Sequence, residues 1–398
     1  MATALTADAP TDPLDAFRQE ARDWLAAHFP KALAHKDGGM SAVEGPHDPT
    51  PDEAAWTKAM GEKGWGVPTW PAQYGGGGLS RAEARVLQEE MARIGAWNPI
   101  GGMGVMMFGP TLLEYGTEAQ KQEHIPAIAR GEVRWCQGYS EPGAGSDLAS
   151  LQTFAEDKGD HYLVNGQKTW TSFAHWGDWI FCLVGTNPDG KPQESISFLL
   201  IDMKTPGVTV RPIIMLDGAH HVNDVFLDNV KVPVANLIGK ENEGWACAKF
   251  LLANERLGIA EVPSSKRGVR SLYELNDDPS FNEKIADLDL QVQALEMSEL
   301  RALSTMALGG APGPEVSTLK VRGSEIQQRI AELAMEAVGE YAAPYQPGML
   351  FHDTNETPVG PDHAPPAAPR YFNMRKTSIY GGSTEIQKNI VSKMVLGL

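Results

Sequence analysis

The stretch HYLVNGQKTWTSF (residues 161–173) interrupts a chain that until then reads as helical. HYLV and QKTWTSF are separated by Asn165-Gly166, the strongest short-range signal for a two-residue hairpin. DWIFCLV, ISFLLI, VTVRPI and VNDVFLDNVKV follow with turn residues between them, so an antiparallel β domain is predicted over residues 132–240. Within KTWTS, Trp170 stands two positions before Ser172, and in a regular strand both side chains face one side. An indole beside a hydroxyl can stack on and hydrogen-bond an aromatic cofactor, although a buried Trp with a neighbouring Ser also occurs simply as core.

Outward from this segment the pattern is helical on both sides, giving an α+β chain. Asp12-Pro13 has the form of an N-cap and first-turn pair, after which Leu14, Phe17, Ala21, Trp24, Leu25 and His28 share a face, with His28 at the core edge. Ser80 with Glu83 and Thr117 with Gln120 have capping-box spacing. YGGGG (residues 74–78) and GGMGVMMFG (residues 101–109) follow no convincing strand of a βαβ unit, which argues against a dinucleotide fold. Residues 1–131 therefore read as an N-terminal helical domain. From residue 241 helical periodicity returns. Ile285, Leu288, Val292, Leu295, Leu303 and Met306 form one stripe, and Leu319, Ile326, Ile330 and Leu333 another, as two packed antiparallel helices require. Seven prolines between Pro344 and Pro369 predict an extended surface excursion within this C-terminal helical domain, residues 241–398.

Composition bounds the function. The 398 residues are 42% apolar, enough for several packed layers, and no apolar run reaches the length of a membrane span. Asp and Glu number 51 against 34 Lys and Arg, and the net charge of −17 argues against generic binding to nucleic acid or anionic membrane. The first 17 residues hold three Asp and no Lys or Arg, unlike a signal or transit peptide. Cys136, Cys182 and Cys247, widely spaced among apolar or aromatic neighbours, suit buried thiols in a reducing cytoplasm. No metal-ligand spacing is present in the sequence.

Two further segments are rich in exposed backbone. YSEPGAGSD (residues 139–147) sets Pro142 and two glycines between Ser140 and Ser146, a loop with donors available to a polar ligand. SIYGGSTEIQ (residues 378–387) pairs two glycines with a hydroxyl at a helix start, where Ser383 is a natural N-cap.

YSEPGAGSD, NGQKTW, DNVKVPVANLIG and IYGGSTEIQ, in this order and spacing, resemble the acyl-CoA dehydrogenase family, and the α-β-α organisation extends the resemblance over essentially the whole chain. The resemblance implies FAD bound between the β domain and a C-terminal four-helix bundle, with an acyl-CoA thioester on one flavin face. It assigns Gln137, Tyr139, Ser140 and Ser146 to the flavin-side loop, with Ser146 also at the substrate. The same resemblance implies that Trp170 packs against the isoalloxazine, with Thr171 and Ser172 at the N5 region. Ser383 and Glu385 fall near the adenosine half, often reached from a neighbouring subunit.

One departure is informative. Many members carry a catalytic glutamate after the tyrosine of the last motif, whereas here Tyr380 is followed by Gly381. A second family arrangement puts the base on the first helix of the C-terminal domain, and FLLANERLGIA offers Glu255 there. Ala248, Leu252, Glu255 and Ile259 are spaced so that the carboxylate interrupts an apolar stripe. A salt bridge to Arg256 or Arg301 is the structural alternative. Arg256, Gly381 and Gly382 match positions at bound substrate, and the Gly381 N–H matches a donor to the thioester oxygen.

The expected reaction is FAD-dependent dehydrogenation of an acyl-CoA, with an electron-transfer flavoprotein as acceptor. The alternatives are an oxidase or flavin monooxygenase on the same fold, and a non-catalytic partner subunit. Within the family the chain looks most like large subunits of the pimeloyl-CoA dehydrogenase type, with sterol side-chain dehydrogenases as relatives. The family's R-x-x-F-G sequence is missing. SSKRGVRSLYELNDDPSF stands in its place, and EAVGE would set Glu336 and Glu340 near a diphosphate. A heterotetramer with a homologous subunit is therefore expected, with a homo-oligomer using Lys266, Arg267 or Arg270 as the alternative.

Overall fold

The computed structural model describes residues 13–35, 49–275, 278–307, 313–314, 316–350 and 354–398; the side chains of residues 13, 253–259, 306 and 307 lie outside the described set. Asp12 is likewise outside it. The chain divides into two compact units, residues 1–41 with 46–135 and residues 42–45 with 136–398.

The first unit holds α1 (Pro13–His28), α2 (Pro51–Lys63), α3 (Arg81–Arg93), α4 (Gly109–Tyr115) and α5 (Glu118–Ala129). Ser80 and Thr117 each accept from the N3 backbone while Glu83 and Gln120 reach back to the cap, so both capping boxes form, as does a third at Thr50 and Glu53. The glycine-rich run after residue 101 is helical. Residues Gly104–Phe108 make one wide turn that leads into α4. His28 is exposed, its ring stacked on Trp24 at 4.5 Å. Buried Glu90 on α3 takes hydrogen bonds from Arg18, Arg22 and Arg93, tying α1 to α3.

β1 (Trp135–Gly138) crosses into the second unit. β2 (Phe154–Asp157), β3 (His161–Ser172), β4 (Trp179–Gly185), β5 (Ile196–Asp202), β6 (Val208–Ile213), β7 (Val222–Pro233) and β8 (Leu237–Ile238) follow. The sheet order is β6-β7-β3-β2-β4-β5-β8, with β1 on β4. The β2–β3, β3–β7, β4–β5, β5–β8 and β6–β7 pairs are antiparallel, and β2 meets β4 in a short parallel contact. Val164, Ile180, Val184, Leu199 and Val225 form the core on one face.

The expected hairpin at Asn165-Gly166 is not a turn. β3 runs through it as one strand of 12 residues paired to β7, with a register shift between Val164 and Gly166. Asn165 accepts from the Asn229 backbone N–H at 2.8 Å, and Thr153 packs where a Gly166 side chain would stand. Cross-strand bonding and close approach thus absorb the dipeptide as a bulge. The chain reverses earlier, through Gly159 between β2 and β3.

The helices that follow are α6 (Gly244–Ile259), α7 (Val262–Leu275), α8 (Pro279–Ala307), α9 (Val316–Val338), α10 (Pro347–Leu350), α11 (Ala367–Met374) and α12 (Thr384–Val391). Leu272, Ile285, Leu288, Val292, Leu319, Ile326 and Leu333 interlock in their core. Leu303 departs from the predicted stripe: Ala302, seven residues after Leu295, takes the inward position, and Leu303 rotates out to become exposed. Met306 lies outside the described side chains. The proline-rich excursion is only partly a surface feature, since Ala364 is buried with Val338, Ala342 and Ala367, and Tyr345 lies against Gly218. Among the described residues no helix is long and apolar enough to cross a membrane.

Candidate active site

After β1, whose Gln137 is half-buried, the chain enters the loop of residues 139–153. Tyr139 is anchored edge-on to Phe181 at 5.9 Å and Phe198 at 6.4 Å. Glu141 and Ala144 exchange backbone hydrogen bonds of 2.9 and 3.0 Å across Pro142-Gly143, closing a tight turn. Nothing lies within 4 Å of where side chains on Gly143 and Gly145 would be, and Ser146 is exposed. The loop therefore presents bare backbone and a hydroxyl outward.

A buried ion pair fixes this loop to β3. Lys168 Nζ donates to Glu141 Oε1 at 2.7 Å and to the Tyr139 carbonyl at 3.3 Å, while the Thr169 N–H donates to the Ser140 carbonyl at 2.9 Å. Glu141 also accepts from the Gln152 and Thr153 backbone. Burial opposes ionisation, but Lys168 and these donors hold the Glu141 carboxyl below its ordinary value.

Immediately beyond Lys168 the strand loses its alternation. The register shifts between Lys168 and Thr171, and Trp170 has φ 60°, rare for a bulky residue. Trp170 and Ser172 therefore do not share a face through simple strand geometry. Trp170 turns outward and is 62% exposed, Ser172 is half-buried, and Thr171 is buried with no hydrogen-bond partner for its hydroxyl. Phe173 also has positive φ, and its N–H is held by the His221 carbonyl at 2.8 Å. Local strain of this kind persists only where the surroundings impose it, and it clusters at functional sites.

Asn223 on β7 braces the kink. Its amide donates to the Thr171 carbonyl at 3.1 Å and to His175 Nδ1 at 3.0 Å, while its oxygen accepts from His220 Nε2 at 2.7 Å. The His175 and His220 rings stack 3.9 Å apart. Burial, and secondarily the neighbouring His220, depress His175 to about 4, so it is neutral near pH 7.

The outward indole of Trp170 borders a cavity of about 290 Å³ whose walls are the turn after β6 (Ile213 to Asp217) and Phe372, Asn373 and Lys376. Buried Asp217 accepts from Asn373 at 2.6 Å and from the Ala219 N–H at 3.0 Å. The C-terminal helices thereby supply one wall and the β-sheet the other.

Five residues past Lys376 lies the Gly-Gly turn. Gly381 and Gly382 have φ of 63° and 80°, the left-handed region that glycine permits, and Gln387 donates back to both carbonyls. Ser383 caps α12 by accepting from the Ile386 N–H, and Glu385 is exposed in its first turn. Hydrogen bonds from its own backbone and from Ser383 lower the Glu385 pKa. The Glu255 and Arg256 side chains lie outside the described residues, and their backbone belongs to α6. Of the cations considered for a missing arginine, Lys266 pairs with Glu296 at 2.9 Å, Arg267 donates to Ser264 and Arg270 is exposed; Glu336 pairs with Lys284.

Sequence reasoning missed the Glu141–Lys168 pair, the Asn223 brace and the Asp217–Asn373 wall, because their members stand 27 to 156 residues apart. The described residues contain no group of three or more His, Cys, Asp or Glu able to hold a metal.

Comparison with known proteins shows the family. The profile of the acyl-CoA dehydrogenase N-terminal domain matches residues 11–132, that of the middle domain residues 136–230 and that of the C-terminal domain residues 242–396. Acyl-CoA dehydrogenase IpdE1 of Mycobacterium tuberculosis is 34% identical over 97% of this chain and 98% of its own length. The ChsE4-ChsE5 complex from Mycobacterium tuberculosis is similar with a TM-score of 0.74 at 28% identity, covering 99% of both chains. The Tcur3481-Tcur3483 steroid ACAD is similar with a TM-score of 0.77 at 25% identity, covering 97% of each. Matched along almost its whole length, this chain belongs to the acyl-CoA dehydrogenase family, enzymes that use FAD.

Proposed function

We propose that the chain converts an acyl-CoA thioester to the trans-2-enoyl-CoA, with Glu255 taking the α-proton. The observation that carries this reading is the apolar cavity between sheet and C-terminal helices, bordered by an indole that a strained strand turns outward. The residues present fit an FAD. Trp170 offers a stacking face, the Thr171 hydroxyl is buried without a partner, and the loop around Gly143 and Gly145 leaves its backbone open. Gln137, Tyr139, Ser140, Ser146, Trp170, Thr171 and Ser172 are the proposed flavin-side residues, with Ser383 and Glu385 serving an adenosine half. Bound FAD supplies the acceptor at N5 for the hydride that leaves Cβ.

This chain's groups do the rest. The Glu255 carboxylate accepts the α-proton, and the electron pair left at Cα becomes the new double bond as the β-hydrogen departs. The Gly381 N–H donates to the thioester oxygen as negative charge grows there. Ser146, Arg256 and Gly382 hold the substrate. Without a side chain at 381, space opens beside the thioester, which supports a bulky or functionalised acyl group. The likeness to the Tcur3481-Tcur3483 steroid ACAD points the same way.

We further propose that the chain assembles with a homologous subunit and passes electrons to an electron-transfer flavoprotein. Pairing of Lys266 with Glu296 weakens the homo-oligomer alternative, and one similar structure is the ChsE4-ChsE5 complex. The domain divisions at 131/132 and 240/241 belong to the same proposal.

Anaerobic mixing of the holoenzyme with straight-chain, ω-carboxylated and steroid side-chain acyl-CoAs tests the function. Bleaching of the flavin with release of enoyl-CoA, followed by faster reoxidation by electron-transfer flavoprotein than by air, is expected. Turnover confined to short linear acyl groups would overturn the substrate reading, and preferential reoxidation by oxygen would make the enzyme an oxidase. A chain that already holds stoichiometric FAD in every subunit of an active homo-oligomer would overturn the heteromer.

A further inference from the structure

Among the residues that wall the Trp170 cavity, one is a cation with no direct partner. Lys376 is half-buried, and its ammonium takes no hydrogen bond or ion pair with any described residue. The carboxylate on the same cavity, Asp217, attracts it electrostatically but gives it no hydrogen bond. Both Asp217 oxygens are engaged, one by the Asn373 amide at 2.6 Å and the other by the Ala219 N–H at 3.0 Å. Arg375, the neighbouring cation, turns elsewhere, stacking on Tyr371 at 4.2 Å and donating to the Gln328 carbonyl at 2.9 Å. Burial depresses the Lys376 pKa, and Asp217 only partly offsets the cost of keeping a charge at this wall.

We infer that Lys376 is a cofactor-tuning cation: it stands at the wall of the Trp170 cavity to favour the electron-rich, reduced form of a flavin ring seated there. The remaining walls, chiefly Ile214, Met215, Leu216 and Phe372, are apolar. An ammonium in such surroundings acts on a nearby ring with little screening by water. Its position ahead of the Gly381-Gly382 turn links it to the segment proposed to hold the thioester, so one stretch of chain would set both substrate polarisation and flavin electron affinity. No proton or bond is exchanged; the effect is electrostatic.

This inference rests on the proposed seating of the flavin against Trp170, so the experiment separates the two. Holoenzymes of wild type, Lys376→Met, Lys376→Gln, Lys376→Arg and Trp170→Ala are compared by visible spectrum, midpoint potential against reference dyes and thermal unfolding. Lys376→Met and Lys376→Gln should keep FAD and stay folded, because the Lys376 ammonium makes no hydrogen bond or ion pair that the fold would lose. Both should shift the reduction equilibrium about tenfold toward oxidised flavin, a fall of about 30 mV for a two-electron couple. Lys376→Arg should stay within about threefold of wild type. A changed spectrum in Trp170→Ala with unchanged potentials in the Met and Gln variants would overturn the role of Lys376 and leave the flavin seat standing. An unchanged Trp170→Ala spectrum would overturn the seat itself, and the inference with it. Loss of stability in both neutral variants would mean that Lys376 is structural and would also overturn the inference.

Discussion

Lys168 donates to Glu141 at 2.7 Å inside the β-sheet unit, with 0% and 4% of their side chains exposed, and this ion pair helps join the loop of Tyr139 and Ser140 to the strand of Trp170. Replacing such a pair by apolar residues can be nearly neutral, whereas removing one partner strands a charge. Lys168→Met should therefore destabilise the protein by about 3–5 kcal/mol. The double variant Lys168→Met/Glu141→Gln should recover part of that loss, since Gln can still accept from the Thr153 N–H. Urea unfolding of the single and double variants provides the check. Strict additivity of the single-variant losses would show that the pair is not coupled.

Gly381 supplies a backbone requirement separate from its proposed space-making role. At φ 63° any side chain is strained, so Gly381→Ala should cost about 1–2 kcal/mol. Ser383→Ala, which removes the α12 cap, should cost about 1 kcal/mol. Denaturant midpoints test both, and an unshifted Gly381→Ala midpoint would contradict the left-handed turn.

His175 makes the Trp170 region sensitive to mild acid. Burial, then the adjacent His220, hold it near 4 in the folded chain against an ordinary value of 6.5. The unfolded chain binds the proton first, so this contribution is intact above pH 6.5 and is lost as pH falls toward 4. A ring-proton NMR titration of His175 should give a midpoint well below 6.5, and His175→Gln should flatten that part of the stability profile.

Glu90 acts in a lower window. The Arg22 hydrogen bonds are the largest influence; burial opposes them, and Arg93 and Arg18 add to them, leaving the carboxyl at about 2 against an ordinary 4.5. The folded state resists protonation, so its stabilising contribution is complete above pH 4.5 and disappears as pH falls toward 2. Unfolding midpoints for wild type and Glu90→Gln should diverge above pH 4.5 and converge near 2.

Local chemistry made much of this fold legible. Ser80-Glu83, Thr117-Gln120 and Ser383 carry their own hydrogen-bonding partners within one helical turn, so spacing alone identifies them. The helical stripes of α8 and α9 were legible for the same reason, except at Leu303, where a rotation of one residue exchanged inside for outside. Asn165-Gly166 misled because a glycine suits a hairpin turn and a bulge alike, and only pairing with β7 decides between them. Trp170 was recognisable as a candidate, but its outward turn depends on a register shift imposed from across the sheet. Lys376 gave no sequence signal, since its meaning lies in which oxygens Asp217 has already engaged.

The central claim is that Glu255 removes the α-proton while Gly381 leaves that position without a carboxylate. Its most direct measurement is exchange of the substrate α-proton with deuterated solvent by Glu255→Gln holoenzyme, using an acyl-CoA that the wild type dehydrogenates. The account predicts retained FAD and fold, loss of flavin bleaching, and exchange slowed by at least about 10²–10⁴-fold, the range typical of a positioned acid–base group. Exchange at a near-wild-type rate in a variant that still holds FAD would contradict it.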